Sequence, residues 1–261
     1  MNKTALITGA SSGIGEVFAH RLAAQGYRLI LAARSQDTLE RLARELAGRF
    51  AVEVQVITAD LSLEHTPSEI FRQVQELGWH VDLLVNNAGF GLSGEFLSHS
   101  AEEYRQQIKL NVASLVDMTH LFLPPMLAKG DGAIINLASL LSFFPFPYCS
   151  VYSATKTFVL SFSESLWEEY RHQGIKVLAL CPGPTDTQFF TKAKEVELDR
   201  KRSPEQVVDT ALKALSQNKS FVIDGKLNVL NALLARLLPR KTMVSMLGSV
   251  MRKSLASRAK G

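Results

Sequence analysis

Two cysteines, Cys149 and Cys181, are all the chain has. That is too few for a disulfide framework, and nothing near them has metal-ligand spacing, so two reduced thiols and no metal are expected. No stretch of about 18 residues lacks polar breaks, which excludes a membrane-spanning helix. The first strand pattern begins at Thr4, leaving no room for a secretory signal, so a cytoplasmic protein is expected. Acidic residues also run out: none follows Asp224. Eight of the 29 basic residues do (Lys226, Arg236, Arg240, Lys241, Arg252, Lys253, Arg258 and Lys260), and the other 21 face all 25 acids. The net charge of +4 therefore joins a mildly acidic body to a strongly basic tail.

The 261 residues, 46% of them hydrophobic, suffice for a large core. Thr4–Thr8 reads as a buried strand, followed by the glycine turn Gly9-Ala10-Ser11-Ser12-Gly13-Ile14-Gly15 and a helical pattern. Such a turn lets backbone amides approach a pyrophosphate and aims a helix N-terminus at its charge. Further strands are expected at 28–32, 53–58, 81–85, 133–137 and 176–180, separated by helical patterns. This alternation predicts an α/β fold, a parallel doubly wound sheet of the Rossmann type, with ligands at the carboxyl ends of the strands. No repeat or linker divides it. Residues 1–225 form the nucleotide-binding body and 226–261 a basic, helical extension of the same domain.

Residues of chemical interest follow each strand. Arg34 stands where dinucleotide folds carry the residue that meets the ribose, about 20 positions past the glycines. It suits a 2′-phosphate, unless it is an ordinary surface arginine. Asp60-Leu61 ends the third strand, and Asp60 either bonds an adenine amino group or caps the next turn of chain. Asn86-Asn87-Ala88-Gly89 offers a flat approach to a ring. A long helix over 102–123 carries Asn111 in its middle, where asparagine is disfavoured, and Pro124-Pro125 is expected to end it. Tyr152 and Lys156 are four apart on a helix, hence on one face. A cation held beside the phenol favours the phenolate and brings its proton within reach of neutral-pH chemistry.

Together these residues resemble the short-chain dehydrogenase/reductase family. The resemblance rests on Thr8–Gly15 (TGxxxGxG), Asn86–Gly89 (NNAG), the set Asn111, Ser139, Tyr152 and Lys156, and Pro182-Gly183 after the sixth strand. It implies an oxidoreductase passing a hydride between NADP(H) and a carbonyl or hydroxyl carbon. Tyr152 would transfer the proton, with Lys156 lowering its pKa and holding the nicotinamide ribose. Ser139 would donate to the same oxygen, and Asn111 would position a water next to Lys156. The cofactor would meet Gly9, Ser11, Ser12, Gly13, Ile14, Gly15, Arg34, Asp60, Leu61, Asn87, Ala88, Gly89, Tyr152, Lys156, Pro182, Gly183, Thr185 and Thr187. Arg34 favours NADP over NAD. A homodimer or homotetramer is implied, pairing the helix of Asn111 and the helix of Tyr152 with their counterparts.

Phe90, Leu140, Leu141, Phe146, Tyr148 and Phe189 are expected around the substrate. They are apolar and aromatic, which suits a lipophilic ketone, aldehyde or alcohol. The tail has two readings, a membrane-surface contact or a lid that packs on the substrate side or on a second subunit. Its bases are interleaved with leucines and not with stacking aromatics, so no nucleic-acid partner is expected. A dinucleotide sensor without turnover, or a membrane-surface adaptor, would leave the intact set Ser139, Tyr152 and Lys156 without a purpose.

Overall fold

The structure, a computed structural model, describes residues 3–187 and 201–258, apart from the side chains of Arg236 and of 254–258. Its strands are β1 (Thr4–Thr8), β2 (Arg28–Ala33), β3 (Val54–Thr58), β4 (Leu83–Asn86), β5 (Gly132–Leu137), β6 (Ile175–Cys181) and β7 (Phe221–Ile223). They pair in parallel in the order β3-β2-β1-β4-β5-β6-β7. The chain leaves β3 and returns to the far side of β1, so the order reverses between β1 and β4. In a doubly wound sheet that reversal opens the crevice in which ligands bind.

Both faces of the sheet are covered, and this explains the continuous apolar runs of β1 and β2. Ala5 and Ile7 point to one face, against α1 (Gly13–Ala24), α2 (Gln36–Phe50) and α7 (Pro204–Ser216). Leu6, Ile30 and Leu84 point to the other, against α3 (Thr66–Glu76) and α5 (Ser114–Lys129). The helix α6 (Ser150–Tyr170) packs Val159 and Leu160 against Ala138, Ala179 and Cys181 at the ends of β5 and β6. A buried polar ladder ties these layers together. Asn86 Nδ2 donates to Thr119 Oγ1 at 3.1 Å and to Asn136 Oδ1 at 2.9 Å, and Asn136 Nδ2 donates to Ser163 Oγ at 2.9 Å.

Two expectations are corrected. The helix about Asn111 is not uniform: α4 (Ala101–Ile108) passes through a π-helical turn, Lys109–Ala113, into α5. Nor do Pro124 and Pro125 stop it, since both lie inside α5, which runs to Lys129 and ends on Gly130 at φ 69°. Each proline removes one backbone donor, but buried Met118, Phe122, Leu123 and Met126 hold the helix to the sheet on both sides of the pair.

Ser203 caps the start of α7. Ser203 accepts from the Gln206 amide, and the Gln206 side chain accepts from the Ser203 amide. The tail folds into α8 (Lys226–Leu237) and α9 (Arg240–Arg258). Asp224 anchors it from the end of β7. Fully buried, Asp224 receives Arg202 Nε at 2.7 Å, Arg202 Nη2 at 2.9 Å and Thr210 Oγ1 at 2.7 Å. Its carbonyl accepts from Asn228 Nδ2 at 2.6 Å.

Candidate active site

The glycine turn after β1 is built for a close approach. Gly9 sits at φ +64°, where a side chain is strained. A Cβ on Gly15 would stand 2.3 Å from the Gly9 carbonyl oxygen and 2.5 Å from Asn87 Nδ2. Thr8 and Asn87 lock the turn to the end of β4. Asn87 Nδ2 donates to the Thr8 and Gly9 carbonyls at 2.9 and 3.0 Å, and Thr8 Oγ1 accepts from the Asn87 and Ala88 amides, both at 3.0 Å. Ser12 at the head of α1 makes no side-chain hydrogen bond to the first-turn amides. Those amides, at the positive end of the helix, are what an anionic pyrophosphate requires. Gly13 faces Thr187 from the β6 loop, 3.0 Å from where its Cβ would stand. Ala88 and Thr187 thus stand against the glycine turn, and the turn's glycines and free first-turn amides fit a dinucleotide.

Arg34 and Asp60 come together beyond β2 and β3. Burial raises the Asp60 pKa, but donation from Ser62 Oγ (2.7 Å) and Ser62 N (2.9 Å) and the Arg34 charge leave it below the ordinary carboxylate value. Of the two roles open to Asp60, the capping one is therefore present. Arg34 itself is exposed. Leu61 is buried, and its carbonyl accepts from Ser114 Oγ.

Tyr152 and Lys156 are both buried on α6, with Lys156 Nζ 5.8 Å from the centre of the Tyr152 ring. Lys156 Nζ donates to the Leu137 carbonyl at 2.6 Å, which fixes the ammonium at the end of β5. Ser139 Oγ accepts from the Leu141 amide at 3.1 Å, so its own proton is the part of that hydroxyl suited to donation. Ser142 Oγ donates to the Lys156 carbonyl at 2.7 Å and ties the 3₁₀ turn Leu140–Phe143 to α6.

Asn111 lies in the π-helical turn. Its Oδ1 accepts from the Phe90 amide at 3.0 Å, and its Nδ2 donates to the Phe90 carbonyl at 2.9 Å and to Thr155 Oγ1 at 3.2 Å. Gly89 runs between the two functional groups: a Cβ there would stand 2.9 Å from Asn111 Oδ1 and 3.5 Å from Lys156 Nζ. Gln107, which donates to the Phe90 carbonyl at 3.2 Å, and Thr155 were not singled out in the sequence. Thr155 sits inside the Tyr152–Lys156 stretch, so its position was the available signal.

Removal from water, countered only by the nearby Cys181, brings the Lys156 pKa from 10.5 to about 8. Between about pH 8 and about pH 10.5 the unfolded chain therefore holds a proton that the folded chain has released. Stability due to this group must rise with pH across that window, by on the order of 3 kcal/mol in full. Cys181, whose buried thiol is pushed far above its ordinary value of 9.0, acts in the opposite sense above that pH. A comparison of wild type with Lys156→Met cancels the thiol. In denaturant unfolding, wild type is expected to gain on the variant as pH rises through the window. A constant difference would show that the lysine is not held charged against burial.

A groove of about 530 Å³ has a lining that includes Phe96, Pro147, Tyr148, Val244, Gly248 and Arg252. Its lining reaches Ser150 at the head of α6 and includes neither Tyr152 nor Lys156. Tyr148 is the predicted residue that lines it, at the strained φ of 65° for a non-glycine, with its carbonyl accepting from the Gly94 amide at 2.8 Å. Phe90 is held by Asn111, Leu140 is buried, and Leu141 and Phe146 are half-buried in the following loop. Phe189 lies outside the described residues. The wall contributed by α9 was not foreseen in detail, because a helix face has no sequence signal until its neighbour is known. Asn228 was also missed: its Nδ2 is 2.2 Å from where a Cβ on Gly183 would stand, so α8 packs on the Pro182-Gly183 turn. Thr185 is buried just beyond that turn and bridges to Arg202.

The family model described as short chain dehydrogenase matches residues 3–198. The very-long-chain 3-oxoacyl-CoA reductase of Rattus norvegicus is 33% identical over 253 residues, spanning 94% of this chain and 79% of that protein. The Homo sapiens protein of the same description is 34% identical over 228 residues, spanning 82% and 69%. Among solved structures, a short-chain dehydrogenase from Sphingobium yanoikuyae in complex with NADPH has a TM-score of 0.81 at 34% identity, covering 85% of this chain and 87% of that one. The bulky-bulky ketone specific alcohol dehydrogenase from Comamonas testosteroni gives 0.78 at 31%, covering 90% and 92%. With the glycine turn, the Tyr152–Lys156 pair and Ser139 on one rim of the sheet, the chain belongs to the short-chain dehydrogenase/reductase family and is an NAD(P)-dependent oxidoreductase.

Proposed function

We propose that the protein is an NADP-preferring reductase or dehydrogenase acting on a lipophilic ketone, aldehyde or secondary alcohol. The observation that carries this reading is the buried Lys156, held by the Leu137 carbonyl at 2.6 Å with its ammonium 5.8 Å from the Tyr152 ring. The bound dinucleotide supplies the hydride. The chain's own residues manage the oxygen. In reduction, Tyr152 passes its hydroxyl proton to the carbonyl oxygen, while Ser139 donates a hydrogen bond to the same atom. The Lys156 charge favours the phenolate left behind. Asn111 acts by holding the Phe90 backbone and Thr155, and so the wall beside Gly89, and it is the residue assigned to position a water next to Lys156.

A lipophilic substrate is supported by the apolar members of the groove, Phe96, Pro147, Tyr148 and Val244, and by relatives described as reducing very-long-chain 3-oxoacyl-CoA or bulky ketones. The preference for NADP rests on Arg34 and its proximity to Asp60. Arg34→Ala is expected to weaken NADPH at least about tenfold while leaving NADH within about twofold, as measured by titration of nicotinamide fluorescence, since a charge-assisted pair to the 2′-phosphate is lost in one case only. Equal effects on both would remove Arg34 from the site. Exposed Ile108 and Phe158 support a homodimer or homotetramer formed through α4–α5 and α6. A cytoplasmic protein in peripheral contact with a membrane completes the reading.

The test is NADPH oxidation with a carbonyl panel running from short aldehydes to long-chain acyl ketones and steroids, with NADH in parallel. Turnover concentrated among the long apolar members is expected. Turnover confined to short polar carbonyls would overturn the lipophilic assignment, and tight NADPH binding with no turnover of any member would favour a sensor.

A further inference from the structure

The helix α8 is turned inside out for a surface helix. Asn228, Ala232 and Ala235 face the body, at the spacing of one helical stripe. The opposite stripe, where polar residues belong, carries Leu227, Leu230, Leu234 and Leu237, exposed by 51, 51, 47 and 80%. In α9, Met246 and Val250 are exposed by 55 and 63%. A row of exposed leucines on one face of a helix in a folded chain marks a surface that meets something. Charge says what. Lys226, Arg240, Lys241 and Lys253 are exposed on the same two helices, and no acidic residue follows Asp224, itself buried against Arg202.

We propose that α8 and α9 dock on an anionic lipid bilayer, the leucine stripe entering the acyl boundary and the bases meeting the headgroups. The twelve residues of α8 are too few to cross a bilayer, and no described helix is long and apolar enough to do so. A leucine face with flanking lysine and arginine is the pattern of a helix lying in the interface. A second copy of this chain is the less favourable occupant, because self-pairing of the stripe about a two-fold axis brings like charges together. The groove that reaches Ser150 at the head of α6 has α9 as one wall, so docking would set that groove next to the lipid. That corollary alone rests on the lipophilic substrate proposed above.

The full-length protein is tested by flotation with vesicles of phosphatidylcholine alone and of an equal mixture of phosphatidylcholine and phosphatidylglycerol. Wild type is expected to float with the mixture, to float poorly with phosphatidylcholine, and to be released as salt rises. The exposed triple variant Leu230→Asp/Leu234→Asp/Leu237→Asp is expected to lose binding at least about tenfold, and Arg240→Glu/Lys241→Glu to lose the preference for the anionic mixture. Turnover of a water-soluble ketone by every variant reports folding and the reductase reading separately. Equal flotation of wild type and triple variant would overturn the proposal. So would absence of wild-type binding to the anionic mixture, or a triple variant that differs from wild type only in forming a smaller oligomer in sedimentation.

Discussion

Tyr152→Phe is expected to lower turnover by at least about 10²-fold, or about 2.7 kcal/mol of barrier, while NADPH affinity and thermal stability stay close to wild type. The change removes one oxygen and keeps the ring, which is buried on α6 and faces Lys156 Nζ at 5.8 Å. Packing is therefore preserved and only the transferable proton is lost. The neighbouring hydroxyl does not substitute for it. Ser139 stabilises charge on the oxygen as a neutral donor, and an unassisted serine is a far poorer acid than a phenol beside an ammonium. Steady-state kinetics with the best member of the carbonyl panel, together with NADPH titration and a melting curve, decide the matter. Near-normal turnover in the variant would sink the assignment of Tyr152 as proton donor.

The second large effect is on stability and lies away from the reacting atoms. Arg202→Met is expected to cost about 3 kcal/mol, seen as a fall of roughly 6 to 12 °C in Tm. Asp224 is fully buried, and Arg202 gives it both of its charge-assisted bonds. Loss of the guanidinium leaves a carboxylate with Thr210 as its described side-chain donor. The Arg202 side chain is 35% exposed, which places the cost toward the lower end of the range for breaking a buried pair. The pair also closes a ring of contacts. Arg202 N donates to the Pro184 carbonyl and Asp186 N to the Arg202 carbonyl, both at 2.9 Å, so the two ends of the segment between β6 and α7 are pinned side by side. A variant that melts within about 1 °C of wild type would show that the pair contributes almost nothing net, as some ion pairs do.

The places of the strands along the chain were legible because parallel strands covered on both faces read as short apolar runs, and most end in a turn with its own chemistry; their order in the sheet was not. The Tyr152–Lys156 spacing was legible for a similar reason, since one helical turn fixes which side chains share a face. Where the sequence misled, long-range packing decided. Pro124-Pro125 is a local stop signal, overridden by side chains that are buried on both sides of it. Asn111 was marked as an oddity in a helix, but a periodic pattern does not reveal that the backbone there changes its hydrogen-bond step. The buried Asp224 depends on partners at 202 and 210, which no local rule brings together. The tail showed its charge and its apolar content plainly. It did not show that the leucines of α8 point outward, because that depends on which small residues, here Ala232 and Ala235, fit against the body.

A π-helical turn contains one residue more than the α-helical turn it replaces. Past Lys109–Ala113 the helix is thus rotated by about 100° from the course α4 alone would set. The turn works as a phase shifter within a continuous rod. Upstream, Gln107 is aimed at the Phe90 carbonyl; downstream, Met118 and Phe122 are aimed at the sheet. Each half answers to a different neighbour without a break in the helix. The number of residues between Gln107 and Met118 is therefore constrained as well as the identity of Asn111 among them: dropping one would leave a helix, but with one of its halves facing the wrong way.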